Sequence, residues 1–197
     1  MNSFRFSQLL CLLCILLVPG RLAAGEPNDS TYRLVAVVGA GGSLYTEPAG
    51  TPSGLSADVS RVGPAATFRI LWRPDHLLSV GLETGWTKLY SYTTTGDVAG
   101  KVYLSQMPLY IVWSMRFADA FNVLGGYGYS RLNTHLEYGG TVNTSSWSMG
   151  WIAACSYEHP VARALAVAAE LKWVNVVESH DAAVTLQVQL VYSFLEW

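Results

Sequence analysis

The last stretch of the chain alternates residue by residue. Val184, Leu186, Val188, Leu190, Tyr192 and Phe194 share one parity, while Thr185, Gln187, Gln189 and Ser193 hold the other. A period of two predicts a β-strand with one greasy face and one polar face. The pattern recurs upstream. Phe68, Ile70 and Trp72 oppose Thr67, Arg69 and Arg73; Val80, Leu82 and Trp86 oppose Ser79, Gly81 and Glu83. Met107, Leu109, Ile111, Trp113 and Met115 oppose Gln106, Ser114 and Arg116; Trp147, Met149, Trp151 and Cys155 oppose Ser148, Gly150, Ser156 and Glu158. Leu165, Val167, Ala169, Leu171 and Trp173 oppose Glu170 and Lys172. Two glycine-rich strands complete the set. Tyr32 to Tyr45 has Leu34, Ala36 and Val38 outward, and Phe121 to Glu137 has Val123, Tyr127 and Tyr129 outward with Asn122, Gly126, Gly128 and Ser130 inward. Inward glycine suits a narrow barrel, where little volume is left for side chains.

The connections alternate in kind. Pro74-Asp75-His76, Ala118-Asp119 and His159-Pro160 read as tight turns, whereas Glu47 to Arg61, Thr93 to Gly100, Gly139 to Ser146 and Glu178 to Ala183 read as longer polar loops. Both termini then fall on the short-turn side. Trp72, Trp113, Phe121, Tyr157, Tyr192 and Phe194 gather toward the short turns; Trp86, Tyr90, Tyr92, Tyr103, Trp147, Trp151 and Trp173 gather toward the loops. Two aromatic girdles mark two membrane–water boundaries, because Trp and Tyr rings are apolar while their N–H or O–H seeks water.

Composition sharpens this. Half the residues are apolar (51%) and only 13% are charged, yet beyond residue 25 no apolar run reaches the length of a spanning helix. Hydrophobicity hidden in alternation is the mark of strands that show one face to lipid. The start of the chain reads differently. Arg5, the apolar run Leu9 to Val18, the break at Pro19-Gly20 and the small residues Ala23-Ala24-Gly25 predict a cleaved export signal over residues 1–25, ahead of a barrel domain over 26–197. Cys11 and Cys14 lie within that signal and neither follows a small residue, so no lipid anchor is expected there. Processing leaves Cys155 alone, hence no intramolecular disulfide, and ten basic against fourteen acidic residues, a net charge of −4. That balance gives no basic footprint for nucleic acid.

The fold expected is therefore all-β: a closed antiparallel up-and-down transmembrane barrel of about eight strands. Leu190-Val191-Tyr192-Ser193-Phe194 resembles the C-terminal signature of outer-membrane barrels, in which alternating apolar residues end in Tyr-x-Phe. Leu195-Glu196-Trp197 follow it; parity favours Phe194 as the signature aromatic and assigns Trp197 to the opposite face. The segments Val80-Gly81-Leu82-Glu83-Thr84-Gly85-Trp86 and Ala169-Glu170-Leu171-Lys172-Trp173 resemble strands of the small outer-membrane superfamily of the OmpA transmembrane domain and OmpX. This resemblance implies an integral outer-membrane protein whose assembly signal is Leu190, Tyr192 and Phe194. It further implies that barrel-assembly machinery, periplasmic chaperones, lipid and lipopolysaccharide are its partners, and that it is monomeric.

Candidate chemistry lies on the inward parity, where Arg69, Glu83, Arg116, Glu170 and Lys172 form a polar network. Buried charges must pair, and across the turn at Asp75 Arg69 falls beside Gly81 and diagonally beside Glu83. The primary expectation is an ionic plug in a barrel with a structural or surface-interaction role; a narrow pore or transporter is the alternative. A lipid A-modifying enzyme would need a nucleophile and a base in contact, and His135 with Glu137 and Ser130 is the one set to examine. No catalytic residue, metal site or cofactor is assigned: His135 and His180 lack close ligand partners. The loop charges Glu47, Asp58, Glu137, Glu178 and Asp181, with Arg61, Lys101 and Arg131 nearby, are expected to form a solvated rim, with contact to lipopolysaccharide through divalent ions or the basic residues as the alternative. A soluble lipocalin-like binder fits the same period with inside and outside exchanged.

Overall fold

The computed structural model describes residues 32–47, 57–74, 78–94, 100–118, 120–137 and 140–197; the expected export signal lies outside them. Nine strands follow one another: β1 (Tyr32–Tyr45), β2 (Ala57–Ser60), β3 (Val62–Pro74), β4 (Leu78–Thr94), β5 (Gly100–Phe117), β6 (Phe121–Glu137), β7 (Thr141–Ala162), β8 (Leu165–Val176) and β9 (Asp181–Glu196). From β3 to β9 each strand pairs antiparallel with the next, and β1 pairs with both β3 and β9, so the sheet closes into a ring of 8 strands. The short β2 continues the line of β3 past Arg61 and pairs with β4.

Which parity faces inward is settled along β9. Leu186 and Val188 are 63% and 65% exposed, whereas Thr185, Gln187 and Gln189 are 0–3% exposed. The apolar face points out and the polar face fills the lumen, the reverse of a lipocalin. On β5 the outward column runs Met107, Leu109, Ile111, Trp113, Met115, Phe117. At ~3.3 Å per residue and a tilt of ~40°, that column spans ~25 Å along the barrel axis, the height of an outer-membrane apolar band.

The lumen is packed shut. Val35, Val37, Leu71, Tyr110, Val112, Leu124 and Ile152 belong to one buried apolar cluster; Tyr45, Leu89, Leu104, Leu132 and Val176 belong to a second. Tyr110 is fully buried, and its ring reaches over inward glycines of the next two strands, Gly128 on β6 and Gly150 on β7. A Cβ on Gly128 would meet the Leu109 carbonyl oxygen and stand 2.9 Å from the Tyr110 Cα. Gly128→Ala is accordingly expected to cost about 1–3 kcal/mol through forced displacement, read as a lower urea midpoint in equilibrium unfolding from vesicles.

Several expectations are corrected. Gly139 to Ser146 is mostly strand: β7 begins at Thr141 and pairs with β6 throughout, from Glu137↔Thr141 to Phe121↔Tyr157. Ser, Thr and Asn read as loop chemistry, but β-branched Thr and Val also pair well, and the partners Leu136↔Val142 and Thr134↔Thr144 carry the ladder through the segment. The turn expected at His159-Pro160 falls at Arg163-Ala164. A register shift between Lys88 and Tyr90 brings Tyr90 against Tyr45 and the second apolar cluster, rather than onto the aromatic girdle. A second shift makes Phe194 an extra residue, because Val35 pairs with Ser193 and Leu34 with Leu195. Such a bulge exchanges parity beyond it. Trp197 thus joins Phe194 on the outer face, stacked on Tyr32 (5.9 Å), which stacks on Trp72 (6.0 Å).

Candidate functional site

Four of the five inward charges meet at the centre of the lumen. Arg69 on β3 faces Glu83 on β4 directly rather than diagonally, and Leu71 takes the place opposite Gly81. Arg69 Nε donates to Glu83 Oε2 at 2.7 Å, and its Nη2 lies 2.9 Å from Glu170 Oε2 on β8, across the lumen. Lys172 Nζ donates to Glu83 Oε1 and to Thr67 Oγ1, each at 2.7 Å, and stands 3.6 Å from Glu170 Oε1. All four side chains are 1–4% exposed. Two cations and two carboxylates cancel, which is what a dry interior requires. Beside them Tyr110, Ser130 and Gln106 form a neutral network, with Gln106 Nε2 donating to Ser130 Oγ at 2.7 Å and to Tyr110 Oη at 3.0 Å.

Arg116 is elsewhere. Tyr110, not Arg116, is the β5 residue opposite Glu83; Arg116 lies ~20 Å further along the strand at ~3.3 Å per residue. There its side chain is 48% exposed and pairs with Glu158 at 3.5 Å. Glu158 also receives both terminal nitrogens of Arg73 (3.1 and 3.2 Å) and the Asn122 amide (3.3 Å). Arg73, Asn122 and Glu158 thus form a second polar layer near the short-turn end. Their inward parity was visible, but Arg73 and Glu158 sit on β3 and β7, which are not neighbours in the sheet. At the opposite mouth Tyr45 donates to Asp181 Oδ1 at 2.6 Å.

The outer wall carries a different set. Beyond the apolar column, β5, β6 and β7 align polar residues row upon row: Ser105↔Asn133↔Ser145, then Tyr103↔His135↔Asn143, then Lys101↔Glu137↔Thr141. His135 stacks on Tyr103 (4.7 Å), bonds Glu137 through Nε2 at 2.8 Å and contacts Asn143 through Nδ1. The Glu137 bond, then the Asn143 bond, raises the His135 pKa above its ordinary value. A raised value means the interaction is complete below the usual histidine range and fades as pH rises through the shifted midpoint. An NMR titration is expected to place His135 above ~6.5, and Glu137→Gln to bring it down. Ser130 sits inside the barrel at 0% exposure, bonded to Tyr110 and Gln106, while His135 lies outside, so the candidate nucleophile–base set does not assemble. Among the described residues no group of three His, Cys, Asp or Glu side chains could hold a metal ion.

β7 also outruns its other neighbour. β8 pairs with β7 only from Gly150 onward, with one further bond from the Val177 N–H to the Met149 carbonyl at 2.9 Å. From Thr141 to Ser148 β7 is held by β6 alone, and among the described residues no strand covers its other edge.

A closed eight-stranded ring with a greasy exterior, a neutralised polar lumen and a projecting ribbon has the fold of the small outer-membrane β-barrels. Solved structures of that class align with most of the chain. The attachment invasion locus protein Ail of Yersinia pestis, in complex with the heparin analogue sucrose octasulfate, matches with a TM-score of 0.58 at 10% identity, covering 83% of this chain and 99% of that one. Neisserial surface protein A matches with a TM-score of 0.46 at 14% identity (84% and 98% covered), and the N-terminal barrel domain of Pseudomonas aeruginosa OprF with 0.45 at 10% (81% and 98%). No protein-family model and no curated protein matches the sequence.

Proposed function

We propose that this chain is an integral outer-membrane protein, exported by a signal over residues 1–25, whose barrel serves a structural or surface-interaction role rather than transport. The observation that carries this is the β6–β7 ribbon. It continues beyond the apolar band with a polar outer face of Asn133, His135, Asn143 and Ser145 and, among the described residues, with one β7 edge uncovered, and an uncovered edge offers backbone N–H and C=O groups to an incoming extended segment. The Met149 carbonyl points to the β8 side, so alternation makes Ser145 and Asn143 point their backbone groups to the same, open side. Lipid and lipopolysaccharide surround the barrel, barrel-assembly machinery and periplasmic chaperones deliver it, and it acts as a monomer. The central ionic cluster and the two apolar layers support a plug rather than a pore.

On intact cells, Ser145→Cys in a Cys155→Ser background is expected to react with a membrane-impermeant maleimide, and the purified barrel to give no discrete conductance in planar bilayers. Labelling that requires a permeabilised outer membrane would invert the orientation. Stepwise conductance abolished by Glu83→Gln would instead establish the pore.

A further inference from the structure

We infer that the outer wall at Arg131 binds the phosphate of a phosphorylated, acylated lipid of the outer leaflet. This rests on the proposal that the barrel stands in the outer membrane with its ribbon outward. Arg131 on β6 pairs in register with Met107 on one side and Trp147 on the other, both lipid-facing. One row further out the wall turns polar, so the guanidinium stands at the boundary where acyl chains give way to headgroups. Among the described residues its side-chain hydrogen bond runs from Nη2 to Ser145 Oγ at 3.3 Å, and no carboxylate pairs with it.

A cleft of about 530 Å³ opens here on the outer side of β4 to β7, and its lining includes Trp86, Met107, Arg131, Asn133, His135 and Ser145. The two halves differ in chemistry. Trp86 and Met107 offer an apolar bed, while Arg131, Asn133 and Ser145 offer donors. His135 and Glu137 satisfy each other at 2.8 Å. Among the described residues the uncompensated positive charge on this wall is then Arg131, with Lys101 beside Glu137 three rows further outward. A planar guanidinium flanked by hydroxyl and amide donors at a membrane boundary suits a phosphate group, and the apolar bed beneath it suits the acyl chains of the same molecule.

The probe is lipid A, titrated onto the folded barrel in a neutral detergent and counted by native mass spectrometry. One retained lipid per barrel is expected. Arg131→Gln should weaken retention about tenfold while its heat-modifiable migration stays that of the parent. Dephosphorylated lipid A should bind the parent as weakly as intact lipid A binds the variant, an arm that needs no mutant. Inorganic phosphate at matched concentration should not displace the lipid. Unchanged retention by Arg131→Gln, or equal retention of the dephosphorylated lipid, would overturn the assignment. Displacement by phosphate alone would also overturn it, showing an ion site instead of a lipid site. A barrel that fails to insert into vesicles at all would count against the membrane reading itself, a separate outcome.

Discussion

Arg69→Ala is expected to destabilise the folded barrel by about 3–5 kcal/mol, because it leaves two buried carboxylates facing one ammonium. Glu83→Ala should cost as much, since Glu83 accepts from both Arg69 and Lys172. The quadruple replacement Arg69→Met, Glu83→Leu, Glu170→Leu and Lys172→Met should behave quite differently. Removing a whole buried ion cluster abolishes its desolvation cost together with its attraction, so the net change should be near zero or a gain of about 1–4 kcal/mol. Urea unfolding from vesicles, followed by tryptophan fluorescence, measures all three. Single variants within about 0.5 kcal/mol of the parent would mean that water reaches the cluster, as it would in an open channel.

The second large effect belongs to the outer wall. Ile111 lies midway down the outward column of β5 and is 45% exposed. Ile111→Arg should cost about 2–4 kcal/mol, the toll of a cation at the bilayer midplane. Asn133→Arg, on the same face but beyond the apolar column, should cost only about 0–1 kcal/mol. A barrel whose outer wall met water would tolerate both equally, so the difference between the two variants carries the information.

The architecture was legible in the sequence because each strand divides two solvents. Lipid outside and packed polar groups inside force a strict period of two, and reading either parity gives the other. Failures cluster where that period is locally broken. The bulge at Phe194 turned Trp197 outward against the parity count, and the shift at Lys88–Tyr90 carried Tyr90 against Tyr45. One inserted residue leaves no mark in a hydrophobic pattern that is already ending. Within the lumen, Arg69 and Glu83 were near neighbours on paper because one turn joins their strands. The Arg69–Glu170 and Arg73–Glu158 bonds cross the barrel between strands that never pair, and no local spacing encodes them. Arg116 shared the right parity at the wrong height. The start of β7 was read as a loop because Thr141, Asn143, Thr144, Ser145 and Ser146 show no two-residue apolar period, which fits a stretch clear of the lipid.

The outward residues of the barrel touch acyl chains, and spin-label accessibility along β9 tests this most directly. With Cys155→Ser as background, nitroxides placed singly from Thr185 to Leu190 would be challenged with oxygen, which concentrates in lipid, and with a water-soluble nickel chelate. Labels at Leu186, Val188 and Leu190 should be relaxed by oxygen and ignored by nickel, while labels at Thr185, Gln187 and Gln189 should be shielded from both. Nickel relaxation at the three leucine and valine positions would place that face in water and contradict the barrel's seat in the membrane.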